Sequence, residues 1–99
     1  MIVKQFHNKN QFVITDGERI VFQSYDTTIA EINGDGKLKL FGDWDYSQTT
    51  LKHLYLFLFD YIHKIEQKTR EKIQNIYYST NKRKEIQNLI DDKIIKFEQ

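Results

Sequence analysis

From Gly42 to Ile65 the chain reads GDWDYSQTTLKHLYLFLFDYIHKI, its strongest helical signal, and the rest must be arranged around that element. Asp45 followed by Gln48 fits a capping box, with Ser47 as a rival N-cap. Leu51, Leu54, Tyr55, Leu58, Ile62 and Ile65 recur at three- and four-residue spacing, which marks a core-facing stripe. Leu56, Phe57 and Phe59 are expected to point away from the Leu51–Leu58 line. A helix apolar on several sides needs more than one cover. Either the C-terminal helix of the same chain lies over them, or they form an interface with a second copy or a partner protein. The six-residue run Leu54–Phe59 is far short of the ~20 apolar residues of a membrane span, so none is expected.

Ahead of this helix the pattern changes to strands. Ile2–Phe6 reads as a short strand, and His7–Asn10 as a turn. Gln11–Thr15 and Arg19–Tyr25 flank Asp16-Gly17, a strong hairpin signal because glycine takes positive φ without steric cost. In the second of these strands Ile20 and Phe22 face one side and Val21 and Tyr25 the other, so a central position is expected. Thr27–Ile32, the turn Asn33-Gly34-Asp35-Gly36 and the alternating Lys37–Phe41 complete the pattern, with Leu38 and Leu40 inward. The lysines there would blunt an exposed edge.

Beyond Ile65 the stripe runs on through Thr69, Ile73 and Ile76. A single helix from Tyr46 to Tyr77 would measure ~48 Å and overhang a domain of this size, so it either projects or breaks near Gln67–Arg70. Ser79-Thr80-Asn81 can cap a last helix from Lys82 to about Phe97, with Ile86, Leu89, Ile90 and Phe97 on one face. The expected architecture is therefore α+β in one domain, 1–99. A four- or five-stranded antiparallel meander over 1–42 precedes one long or two C-terminal helices over 43–99. Leu38, Leu40, Leu51, Leu54, Leu58 and Ile62 are its expected core.

Chemistry is sparsely represented. The chain has no cysteine, which removes disulfides, thiolate metal sites and a thiol nucleophile. Its three histidines are scattered, and His53 and His63 are ten apart, not the i, i+4 pair of a helical zinc site. Asp60 and His63 are at i, i+3 and read as a surface ion pair. Asp43, Asp45 and Ser47 alternate like the start of a calcium loop, but Gln48 and Leu54 stand where that loop needs glycine and a bidentate glutamate. No cofactor, metal or enzymatic activity is expected. The start, MIVKQFHNKN, lacks a signal-peptide core, so a cytoplasmic location is expected.

Net charge is +1, and the asymmetry is regional. Between His63 and Lys84 lie Lys64, Lys68, Arg70, Lys72, Lys82, Arg83 and Lys84 against Glu66 and Glu71, a net of +5, whereas the first 62 residues net −2. This basic elbow is either a solvated helix face or a phosphate-binding surface. The aromatics Phe22, Tyr25, Trp44 and Tyr46 cluster at the strand-to-helix corner, as a core plug or a recognition platform.

Two stretches, VFQSYDTTIAEI (Val21–Ile32) and WDYSQTTLKHLYLFL (Trp44–Leu58), resemble a small uncharacterised domain of phage and mobile-element proteins in Gram-positive and gut bacteria. That domain has a Phe-Gln-Ser-Tyr strand, a Trp-Asp-Tyr-Ser-x-Thr-Thr turn and a Phe-Leu near the helix end. The likeness runs to about Asp60. No activity is established for the domain, so the resemblance implies a source and not a mechanism. The expected function is that of an accessory protein in the cytoplasm of a host cell, binding and inhibiting a host or defence protein. Trp44, Tyr46, Phe57 and Phe59 are its candidate interface residues, and a homodimer through the helical part is also expected. The alternative is a nucleic-acid-binding regulator using the basic elbow.

Overall fold

Short β-rich runs punctuated by turn residues produce a continuous sheet in the computed structural model of the protein, which describes the backbone of residues 1–99 and every side chain but that of Asn8. Strands β1 (Ile2–Phe6), β2 (Asn8–Asp16), β3 (Arg19–Ser24), β4 (Thr27–Ile32) and β5 (Leu38–Phe41) follow one another as an antiparallel meander. Helices α1 (Gln48–Asp60), α2 (Gln67–Ile76) and α3 (Lys82–Asp91) come next. A short strand, β6 (Lys96–Glu98), then returns parallel to β5, giving the sheet order β1-β2-β3-β4-β5-β6. The α+β meander with C-terminal helices is thus as expected, extended by a sixth strand and a third helix.

The turns follow local chemistry. Gly17 opens the two-residue β2–β3 turn at φ 63°. Strand β3 is buried on both faces, which suits its central place: Phe22 lies in the main core, while Val21 is buried on the opposite side. The β1–β2 connection is tighter than the expected four-residue turn. His7 alone makes it, at φ 58°, and β2 begins at the next residue.

Helix α1 is capped by Ser47, whose hydroxyl accepts from the Thr50 amide at 3.1 Å. Asp45 does not cap, because its carboxylate accepts from Arg83 on α3 instead. The buried face of α1 comprises Thr50, Leu51, His53, Leu54, Phe57 and Leu58. Phe57 therefore belongs to the core, against the expectation that it points away. It follows Leu54 by three residues and His53 by four, which places it within about 60° of both around the helix. Its ring stacks on Phe22 at 5.4 Å and meets Phe6 edge-on at 6.2 Å, joining α1 to β3 and β1. Leu38, Leu40, Leu51, Leu54 and Leu58 are buried as expected, whereas Ile62 packs only at the margin.

The long apolar stripe does not produce one helix. After Asp60 the chain passes through a 3₁₀ turn at Ile62–Lys64 and two extended residues, Ile65 and Glu66, before α2 begins. This break lies earlier than Gln67–Arg70, where the sequence suggested it. The β4–β5 loop holds it there: the Glu66 amide donates to the Gly36 carbonyl at 2.9 Å, and Lys37 meets the Glu66 carboxylate at 2.6 Å. Gly36 has φ 81°, and a Cβ there would come within 2.7 Å of the Glu66 nitrogen. Arg70 covers the freed end, donating to the carbonyls of Ile65 at 2.8 Å and His63 at 3.3 Å. Ile65 is buried at the break, and Thr69, Ile73 and Ile76 are buried beyond it, so the stripe remains in register across the interruption.

Helix α3 stops at Asp91, not near Phe97. The Lys93 amide bonds to the Ile90 carbonyl and the Ile94 amide to that of Leu89, with Lys93 at φ 62°. This is the Schellman arrangement, made with lysine where glycine is usual. Phe97 then lies in β6, half exposed. Strand β5 is consequently not an edge along its length: Lys39 is paired to Lys96 in the ladder, and its ammonium contacts Glu98 at 3.3 Å.

Candidate functional site

The two motif stretches meet at one corner. The end of β3 supplies Ser24, the β3–β4 turn Tyr25, β4 Thr27 and Ile29, the loop before α1 Asp43, Tyr46 and Ser47, and the first turn of α1 Thr49 and Thr50. Together they line a cleft of about 490 Å³. Volumes of this size are typical of small-molecule sites, which run to about 300–1,000 Å³. Successive turns shape the loop, with the Trp44 amide donating to the Phe41 carbonyl at 2.9 Å and the Tyr46 amide to that of Asp43 at 3.1 Å. Tyr25 and Tyr46 are 60% and 80% exposed. Tyr25 holds φ 55°, a strained value for an aromatic residue, with its amide donating to the Asn10 carbonyl at 2.7 Å.

The corner aromatics therefore divide. Tyr25 and Tyr46 stand at the cleft, while Phe22 and Trp44 are buried in the core, Trp44 at 2% exposure. Trp44 is covered by the guanidinium of Arg83 at 5.9 Å from its ring, so neither it nor Phe57 offers interface surface in this fold. Of the four candidate interface residues, Tyr46 and Phe59 retain accessible area.

Phe59 belongs to a different surface. Along the outer flank of α1, Tyr55, Leu56 and Phe59, with the core residue Leu51 at the margin, line a largely apolar groove of about 590 Å³ with Tyr77. Lys52 and Lys82 also line it. A second hollow of about 260 Å³, lined by Phe59, Gln74, Tyr77 and Tyr78, continues it. Phe59 and Tyr77 meet edge-on at 5.2 Å, as do Tyr77 and Tyr78. Tyr78 is 85% exposed, a large apolar ring left in water. Burial pushes the Tyr55 phenol up, so it stays a protonated hydrogen-bond donor at neutral pH. Tyr77 and Tyr78 were not singled out from sequence, although two adjacent tyrosines just before the capping residues of α3 were the available signal.

The seven cations of the elbow do not form one patch. Lys68 lies beside Asp92, Lys93 and Lys96, at the start of α2 and the end of α3, whereas Lys82 lies by Tyr77 at the opposite end of the helical pair. The ten-residue α2 between them spans about 15 Å. Several charges are also engaged: Arg70 on backbone carbonyls, Lys82 on the Ser79 carbonyl at 3.0 Å, and Arg83 on Asp45 at 2.7 Å. Lys64, Lys72 and Lys84 are exposed.

The histidines serve local structure. His53 is buried, with its Nδ1 2.9 Å from the Thr49 carbonyl. Asp60 pairs with His7 at 2.8 Å, not with His63 as the helical spacing suggested, because the β1–β2 turn brings His7 over the end of α1. His63 instead stacks beside Tyr61 at 6.5 Å. No group of three or more metal-ligating side chains occurs among the described residues. No described helix is long and apolar enough to cross a membrane.

No curated protein and no solved structure matches the chain. The matched family model spans residues 2–75, which takes in the whole meander, the hydroxyl-lined cleft, α1 and nearly all of α2, and leaves Tyr77, Tyr78, α3 and β6 outside. By that match the protein belongs to DUF8033, a family of unknown function.

Proposed function

We propose that this protein works by binding another protein, with no chemistry of its own, through the aromatic groove of α1 and the end of α2. The observation that carries the reading is the continuous surface of Leu56, Phe59, Tyr77 and Tyr78, apolar area that α3 leaves uncovered. Tyrosine and phenylalanine at such a surface supply large contact area at little conformational cost. The Lys52 and Lys82 ammonium groups define the occupant's chemistry: an apolar or aromatic anchor flanked by acidic side chains. The likeness of Val21–Ile32 and Trp44–Leu58 to a phage and mobile-element domain supports placing the partner among host or defence proteins, with inhibition as the outcome. A second copy on the same groove would give the homodimer, with Phe59 and not Phe57 at its centre.

The test is retention of partners from a bacterial lysate, with and without nuclease, by the wild-type chain and by Phe59→Lys with Tyr78→Lys. A discrete protein that survives nuclease and raised salt, and is lost with the groove variant, supports the reading. Light scattering on the purified chain separates a 12.0 kDa monomer from a dimer of twice that mass. Retention of nucleic acid alone, abolished by Lys72→Glu with Lys84→Glu and falling steeply with salt, would overturn it in favour of the regulatory alternative.

A further inference from the structure

We infer that the cleft between the β3–β4 turn and the start of α1 is a saccharide-binding site, independent of the aromatic groove. The lining is rich in hydroxyls: Ser24, Thr27, Ser47, Thr49 and Thr50, with the phenols of Tyr25 and Tyr46. The Ser47 and Thr50 hydroxyls bond each other at 3.0 Å, which leaves Ser24, Thr27, Thr49 and the two phenols to donate and accept as a polyhydroxylated ligand demands. Asp43 adds a carboxylate acceptor, and no lysine or arginine lines the cleft. That balance disfavours phosphates, carboxylates and nucleic acid, and favours a neutral ligand.

Unmet hydrogen-bonding capacity points the same way. Ser24 is 5% exposed, yet among the described residues no hydrogen bond engages its hydroxyl, which lines the cleft. Its cross-strand partner Gln11, 1% exposed, has a side-chain oxygen Oε1 with no partner. A buried polar atom left unpaired is costly, and the unpartnered Gln11 oxygen lies across the β2–β3 ladder from Ser24, whose hydroxyl lines the cleft and is open to a ligand hydroxyl. The start of α1 adds backbone donors: Ser47 satisfies the Thr50 amide, and the Gln48 and Thr49 amides precede it in the first turn.

The aromatic rim completes the fit. A sugar ring has an apolar C–H face and a polar periphery, and the exposed faces of Tyr25 and Tyr46 suit the first as the hydroxyls suit the second. Tyr25 is held in left-handed backbone conformation in a turn that glycine would fill without strain. Strain kept at a side chain on a cleft is expected where that side chain has work to do.

The experiment is amide chemical-shift mapping of the intact chain, titrated separately with glucose, galactose, N-acetylglucosamine and maltose to high millimolar concentration. Binding by at least one sugar should move amides of residues 24–29 and 43–50 and leave Tyr77 and Tyr78 unmoved. Tyr46→Ala and Ser24→Ala, each checked for an unchanged fold by its own spectrum, should weaken that sugar roughly tenfold or more. Tyr25→Gly should raise the melting temperature while weakening binding, a pairing that a purely structural tyrosine would not give. The assignment is overturned if none of the four sugars moves these amides, if the shifts survive Tyr46→Ala, or if inorganic phosphate moves the same amides more strongly than any sugar. A failure of the aromatic groove to hold a protein would leave these readouts untouched.

Discussion

Helices α1 and α3 are of similar length, thirteen and ten residues, but they are attached to the sheet by different means. Helix α1 buries six residues in one continuous face and is tied to β1 and β3 through the Phe6, Phe22 and Phe57 rings. Helix α3 fully buries Ile86 alone, with Leu89 and Ile90 half-covered. Its ends carry much of its attachment. Arg83 bonds Asp45 at one end, and at the other the Schellman turn delivers Ile95 into the core and β6 onto β5. A helix held by a face resists local opening, whereas one held by its ends can lift as a unit if either end lets go. The aromatic groove lies where these two regimes meet, and the hydroxyl-lined cleft lies wholly on the firmly held side.

Deleting the central ring on α1 should have the largest effect. Phe57→Ala is expected to cost about 3–5 kcal/mol, a large share of the ~5–15 kcal/mol available to a domain of this size. Urea unfolding followed by circular dichroism would show it as a large fall in the transition midpoint. A mild shift of the midpoint would mean that the Phe6, Phe22 and Phe57 rings do not fasten α1 to the sheet.

Ile86→Ala removes the one fully buried side chain of α3 and should cost about 2–5 kcal/mol by lost packing. The informative readout is hydrogen exchange. Faster exchange confined to residues 82–98, with α1 and β2–β4 still protected, is the outcome that fits attachment by ends. Uniform acceleration across the sheet would show that the two helices unfold together.

Lys93→Gly works in the opposite direction. It relieves a left-handed lysine and should raise stability by about 0.5–1 kcal/mol once the greater freedom of glycine in the unfolded chain is subtracted. A fall in melting temperature would mean that the Lys93 side chain contributes more than its backbone strain costs.

The smallest effect concerns the clasp between the sheet and the α1–α2 break. The Lys37 ammonium beside Glu66 holds its carboxyl below the usual carboxylate range. A depressed folded value stabilises the protein above the unfolded carboxyl pKa of about 4.3, and that stability disappears as pH falls through the lower folded value. Both partners are partly exposed, so the contribution is the small one of a surface ion pair. Melting wild type and Lys37→Met at neutral and acid pH should show wild type losing slightly more on acidification. Equal losses would mean that the Lys37–Glu66 pair does not contribute to stability.

Much of this was legible without coordinates because it depends on neighbours in sequence. Strand runs, the Asp16-Gly17 hairpin, the inward Leu38 and Leu40, and the Leu51–Leu58 stripe all follow from periodicity and turn chemistry. The site was less legible. Tyr25 and Tyr46 could be picked as a pair with Phe22 and Trp44, but nothing local says which two rings are buried. That depends on Arg83, far along the chain, covering Trp44, and on Phe57 stacking over Phe22.

The sequence by itself determined the α+β order, the antiparallel meander and most of its core, since side-chain alternation and helical spacing are properties of the local chain. Tertiary structure alone decided where the long stripe breaks, because Gly36 and Lys37 grip Glu66 from a loop some thirty residues away. It also decided the fate of the C-terminus. KIIKFE satisfies a helix or a strand locally, and Lys93 carries no glycine signal for a helix end. Only the open edge of β5, waiting for Lys96–Glu98, makes the extended form the one that satisfies the backbone.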